Sequence, residues 1–141
     1  MNLNCFHLPT KLQSLLAQNA KQADQLSPAC LAYIGDVVYE LYIRSYYLLP
    51  ARRIRDYHQT VVNQVRAETQ ANYLADLEPH LTELEKNIVK RGRNGANNPP
   101  KRLSPSTYRQ ATSLEALIGY LYLKNPERLY QLLEKLNLPN Q

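Results

Sequence analysis

The residues best placed to do chemistry are acids set into apolar stretches. Asp36 and Glu40 lie one turn apart in Leu31-Ala32-Tyr33-Ile34-Gly35-Asp36-Val37-Val38-Tyr39-Glu40-Leu41-Tyr42-Ile43. Glu115 sits alone in Ala111-Thr112-Ser113-Leu114-Glu115-Ala116-Leu117-Ile118-Gly119-Tyr120-Leu121-Tyr122-Leu123. A carboxylate withdrawn from water is costly unless something compensates it. Two kinds of partner suit. An arginine would make a structural ion pair. A hard divalent cation such as magnesium takes oxygen ligands and keeps several waters, so one or two carboxylates at the wall of an open groove can hold it beside a phosphate. We read Asp36 and Glu115 as meeting to hold a metal ion. Gly35 beside Asp36, and Gly119 one turn after Glu115, leave space for a backbone or a phosphate to approach.

Helices must position these acids. Ser27 can cap free backbone N–H groups and Pro28 suits a first helical position, so a central helix is expected over 28–48, ended by Pro50. Leu31, Ile34, Val38, Leu41 and Tyr42 would form its apolar face. A short amphipathic helix is expected over 10–21, after an N-terminal arm at 1–9. A third runs over 52–77 with Ile54, Tyr57, Val61 and Val65 inward, stopped by Glu78-Pro79. A fourth covers 80–91 and a fifth 108–124; Asn125-Pro126-Glu127 starts a sixth. Residues 94–107 hold three prolines and a glycine, which exclude a regular helix, and read as a mobile basic loop. No period-two alternation bounded by turns occurs. The expected fold is all-α, a single helical domain over 1–141 with about six main helices and no sheet.

Composition narrows the class of partner. Hydrophobic residues make up 44% of the 141, too many for a disordered chain of net charge +5. That positive excess suits a polyanionic partner without establishing one. Cys5 and Cys30 are too few for a disulfide framework or a metal cluster and read as reduced thiols. There is no signal-like N-terminus and no apolar run of membrane-spanning length, so a cytoplasmic protein is expected. His7, His58 and His80 lie away from both acidic stretches and read as surface or capping residues.

The stretch Leu31 to Glu40 resembles the signature helix of ribonuclease III enzymes, and Glu115 to Leu123 resembles their second catalytic helix. Lys90-Arg91-Gly92-Arg93-Asn94 and Thr107-Tyr108-Arg109-Gln110-Ala111-Thr112 resemble the mini-ribonuclease III group, whose members consist of the catalytic domain without a double-stranded-RNA-binding domain. The resemblance implies a helical, magnesium-dependent endoribonuclease that cleaves double-stranded RNA as a homodimer. It implies a role in maturing the large-subunit (23S) precursor ribosomal RNA, and association with a ribosomal protein or pre-ribosome. By motif position, Asp36 and Glu115 take the roles of catalytic, metal-binding acids, with Glu40 as a supporting candidate. Full-length ribonuclease III carries further acids where this chain has Ala29, Ala32 and Thr112, so water and RNA oxygens would have to fill more of the coordination shell.

Lys90, Arg91, Arg93, Lys101 and Arg102 bring five positive charges into thirteen residues with no acid among them, and are the expected RNA contacts. The excess apolar surface of the central helix, including Tyr33 and Val37, is expected to pack on a two-fold copy. The alternative is a non-catalytic RNA- or ribosome-binding helical module that has kept the fold. In a third reading, the acids only pair with basic residues.

Overall fold

The computed structural model describes residues 8–140, so residues 1–7 of the expected arm, with Cys5 and His7, lie outside the described residues. The elements are α1 (Thr10–Gln22), a 3₁₀ turn (Ala23–Gln25), α2 (Pro28–Tyr46), α3 (Ile54–Val65), α4 (Ala67–Leu77), a 3₁₀ turn (Glu78–His80), α5 (Glu83–Asn94), α6 (Pro105–Lys124) and α7 (Pro126–Glu134). No strand occurs among the described residues, so the fold is all-α.

Helix starts follow local chemistry. The Ser27 hydroxyl accepts from the Cys30 N–H at 3.2 Å with Pro28 behind it, and the Asn125 side chain accepts from the Arg128 N–H ahead of Pro126. Two helix starts are clearly displaced from expectation. α5 begins at Glu83 rather than near His80, because Thr82 and Glu85 form a reciprocal capping box: Thr82 N–H to Glu85 Oε1 at 2.9 Å, Glu85 N–H to Thr82 Oγ1 at 3.2 Å. α6 begins at Pro105 rather than near Tyr108, because Ser104 caps it and Pro105 is its first residue. α5 also runs past the expected 91 to Asn94, so Arg93 joins Lys90 and Arg91 on it, and the irregular connection shrinks to 95–104.

The helix expected over 52–77 is two helices. Arg66 takes an extended conformation (φ −67°, ψ 155°) and separates α3 from α4 without any glycine or proline. The last turn of a helix leaves carbonyls without intrahelical donors, and a buried break must supply them. Here the Arg66 N–H serves Val62 O at 3.2 Å, the Thr69 hydroxyl serves Asn63 O at 2.7 Å, and the Tyr39 hydroxyl serves Gln64 O at 2.6 Å. The Gln70 amide serves Val65 O at 2.7 Å. All four are satisfied, three of them by side chains, which is what makes the break affordable inside the protein.

The hub is α6, not α2. From Ala111 to Leu123 it is buried on nearly every side, and it packs against α2, α5 and α4, with α7 and α1 at its flanks. The buried face of α2 is Leu31, Ala32, Gly35, Tyr39 and Ile43, rotated from the expected Leu31–Ile34–Val38–Leu41–Tyr42 face. The α2–α6 crossing is the cause. A Cβ placed on Gly35 would fall 1.8 Å from Glu115 O, and one on Gly119 would fall 2.0 Å from Leu31 O. The two backbones touch there, so the small residue turns inward and Leu41 turns out, 62% exposed. Tyr33 (83%) and Val37 (64%) lie on the same outward stripe. Ile54, expected inside, is also exposed. Several of the tyrosines go the other way: Tyr39, Tyr47, Tyr73 and Tyr120 are buried, and their hydroxyls donate to Gln64 O, Pro139 O, Gln64 Oε1 and Asp24 Oδ1.

Candidate functional site

The glycine crossing sets the site. Gly35 precedes Asp36 on α2, and its Cα lies against the backbone carbonyl of Glu115 on α6. The space around these glycines is filled by helix backbone rather than left open to a phosphate. That contact forces the two acids onto one groove of about 180 Å³, where Ala29, Ala32, Asn97, Tyr108 and Thr112 also face the space. The three positions at which full-length ribonuclease III would carry further acids thus line this same groove as two alanines and a threonine.

Electrostatics set the two acids apart from the other carboxylates. Asp36 is at the exposed lip; partial burial and then the Glu40 charge hold its carboxyl above the usual range. Glu115 is half-buried; burial first, then the Asp36 charge, push it up to about 7, with the nearby Gln70 amide opposing. Neither belongs to any ion pair among the described residues. Glu40, by contrast, is paired with Arg44 at 2.5 Å. Two carboxylates on one open groove, the deeper raised by the charge of the other and neither in an ion pair among the described residues, suit a hard divalent ion. No described group of three or more His, Cys, Asp or Glu is arranged to hold a metal, so such an ion would draw most of its shell from water and substrate oxygens.

A second, larger groove of about 600 Å³ opens on the other side of Glu115. Tyr108, Thr112 and Glu115 form the wall common to both grooves, and Arg66, Glu68, Gln70 and Arg102 face the larger one. The five expected RNA contacts do not converge. Arg102 lines the larger groove, and Lys101 is exposed beside it in sequence. Lys90 and Arg93 line a separate groove with Glu78 and Pro79, where Arg93 pairs with Glu78 at 3.6 Å. Arg91 is exposed, and its charge bears on Asp24.

Gln70 and Arg66 escaped the sequence reading. Both follow from the break at Arg66, which carries no breaker residue, so only the polar Gln70 at an inward position of α4 could have drawn notice.

The described geometry has a counterpart among known proteins. A model of the ribonuclease III domain matches residues 29–126, a span that contains both acids and both grooves' walls. The chain belongs to the ribonuclease III family. Among relatives it is similar to Mini-ribonuclease 3 of Synechocystis sp., 49% identical over 132 residues, covering 94% of this chain and 92% of that one. It is 54% identical over 114 residues to Mini-ribonuclease 3 of Thermosynechococcus vestitus, covering 81% and 76%. A crystal structure of a Fusobacterium nucleatum protein superposes with a TM-score of 0.71 at 35% identity, covering 77% of this chain and 89% of that one. As a ribonuclease III family member with these relatives, the protein is an endoribonuclease. No described helix is long and apolar enough to cross a membrane.

Proposed function

We propose that this endoribonuclease hydrolyses double-stranded RNA with magnesium held by Asp36 and Glu115, that it acts as a homodimer in the cytoplasm, and that its substrate is precursor large-subunit (23S) ribosomal RNA. The observation that carries the reading is the pair itself: two carboxylates on one groove, each raised, neither in an ion pair among the described residues. A magnesium ion bound there would activate a water for attack on phosphorus and offset the charge developing on the phosphate as a P–O ester bond breaks. Asp36 and Glu115 must both be ionised to bind it, so loading Glu115 displaces a proton near neutrality. Arg102 and Arg66, facing the groove beside Glu115, are suited to phosphates flanking the cut. Glu40 acts indirectly, through its charge on Asp36, while held by Arg44. Lys90, Arg91, Arg93 and Lys101 would contact the duplex farther out, or a pre-ribosomal partner.

Support for the dimer comes from the outward stripe of α2. Tyr33, Val37 and Leu41 recur every fourth residue, one helix face, and Tyr33 also borders the groove. A two-fold copy seated on this stripe would cover it and abut the active site. The experiment is to incubate the protein with duplex and single-stranded RNA, with and without magnesium. Metal-dependent cutting of the duplex alone is expected. Equal cutting of single strands, or cutting in excess chelator, contradicts the proposal.

A further inference from the structure

Gln70 lies in the first turn of α4, just after the break at Arg66, and is 2% exposed. Its Nε2 donates to Val65 O at 2.7 Å, which fixes the amide's orientation, since only the nitrogen can face a carbonyl. Gln70 and Glu115 line the same larger groove, and the nearby amide acts to hold the Glu115 carboxyl down. Its Oε1 is buried and has no hydrogen-bond partner among the described residues. Burying a carbonyl oxygen without a donor is unfavourable. As a cap for Val65 O alone, Gln70 would therefore be a poor solution, because half of its amide is wasted. The arrangement makes sense if the amide is kept for what its nitrogen does at Glu115.

We propose that Gln70 is the positioning residue for Glu115: anchored on backbone at the α3–α4 break, its amide ties one carboxylate oxygen and leaves the other facing the groove where the divalent ion binds. This rests on the metal role proposed above for Glu115. The inference also gives the break a purpose, since an unbroken helix over 52–77 would leave no free carbonyl on which Gln70 could be anchored. Groups that orient ligating carboxylates are worth about 10- to 100-fold in metal affinity.

The test is a Mn²⁺ titration of the full chain without RNA, read from the EPR signal of the free ion, with melting temperatures in parallel. Gln70→Met keeps the volume and the burial but has no N–H to donate. Thr69→Val removes a different carbonyl partner of the same break, at Asn63 O. Gln70→Met should bind Mn²⁺ about ten-fold more weakly or worse, whereas Thr69→Val should melt lower with Mn²⁺ affinity unchanged. Wild-type affinity in Gln70→Met overturns the positioning role. So does an equal loss in Thr69→Val, which would assign the effect to the break as a whole. If Gln70→Met does not fold, Gln70→Asn, too short to reach both partners, is read in the same titration, with the same expected loss and the same overturning result. Glu115→Gln separates the two layers: Mn²⁺ bound as tightly after that change, or not at all by the wild type, brings down the metal reading and this inference with it. A weakened Glu115→Gln beside a wild-type-like Gln70→Met brings down the inference alone.

Discussion

Glu85 and Glu115 sit on neighbouring packed helices, α5 and α6, and both are drawn out of water, yet their surroundings are opposite. Glu85 is 3% exposed and fully engaged. Arg128 donates to it through Nε and Nη2 at 2.9 Å each, and the Thr82 N–H donates at 2.9 Å. Burial pushes its carboxyl up, but the Arg128 and Thr82 hydrogen bonds outweigh burial, and the net direction is down. Glu115 has a like charge where Glu85 has a guanidinium, and its carboxyl is pushed up to about 7. The first acid ties α5 to α7 and closes a capping box. The second has no ion-pair partner among the described residues. What separates the two acids here is less the loss of water, nearly complete at Glu85 and partial at Glu115, than whether a described basic residue pairs with the carboxylate.

Exchanging each acid for its amide should separate the two roles most widely. Glu115→Gln is expected to lower the duplex cleavage rate by on the order of 10³-fold, with the melting temperature held or raised, since a repelled carboxyl is removed. Glu85→Gln is expected to cost about 3 kcal/mol of stability, because Arg128 loses a buried charge partner, while the rate per folded molecule stays at the wild-type level. Denaturant melts and single-turnover cleavage on both variants check the pair. A crossed result, with stability lost at Glu115 and rate lost at Glu85, would reverse the assignment.

The next largest effect concerns how Glu115 reaches Asp36. Gly35→Ala places a methyl 1.8 Å from a backbone oxygen that cannot swing aside, so the helices must separate. A loss of about 3 kcal/mol or more is expected, together with loss of cleavage in whatever remains folded. Unfolding midpoint and activity of the refolded fraction measure both. Preserved stability would mean that the helices do not meet at this glycine.

Much of this arrangement can be read from the sequence, and the failures have physical causes. Ser27-Pro28 and Asn125-Pro126 announce their helices because a cap and a proline act within a few residues of one another. Ser104-Pro105 carries the same signal and is obscured only by the prolines just before it. The break at Arg66 is not legible, because Tyr39, Thr69 and Gln70 satisfy its carbonyls and Tyr39 comes from another helix. The inward face of α2 misleads for a related reason. Hydrophobic size favours Leu41, but a backbone-to-backbone crossing is chosen by the absence of a side chain at Gly35. Asp36 and Glu115 are legible as a pair through the resemblance to ribonuclease III; the residue that steadies one of them is not.

Smaller, and opposite in sign for the two glutamates, is the response to pH. Glu115 has a folded-state carboxyl raised from 4.5 to about 7, so in metal-free protein it favours the fold below 4.5 and that contribution is lost as pH rises towards 7. Glu85 is lowered, so its contribution is present above its unfolded value of 4.5 and lost as pH falls below it. Between pH 4.5 and 7 the wild type should therefore lose stability relative to Glu115→Gln by up to about 1.4 kcal/mol per pH unit. Chemical denaturation across that range checks the slope. A wild type that gains stability over Glu115→Gln there would mean that a cation of the protein reaches Glu115.

The smallest expected effect extends the same contrast to basic residues. Arg93 already has Glu78 as a partner, whereas Arg102 faces the groove beside Glu115. Arg102→Gln should weaken duplex binding and lower the log–log salt slope by about one unit, and Arg93→Gln should change both less. Fluorescence anisotropy over a salt series distinguishes them.

The central claim, that the fold leaves Asp36 and Glu115 without a cation so that they can hold one from solution, is tested most directly by anomalous diffraction from crystals of the protein soaked in Mn²⁺. The expected result is a peak in the groove between the two carboxylates, lost in Glu115→Gln crystals treated alike. A groove without a peak while Mn²⁺ binds at other carboxylates, or an arginine side chain lying between Asp36 and Glu115, would contradict it.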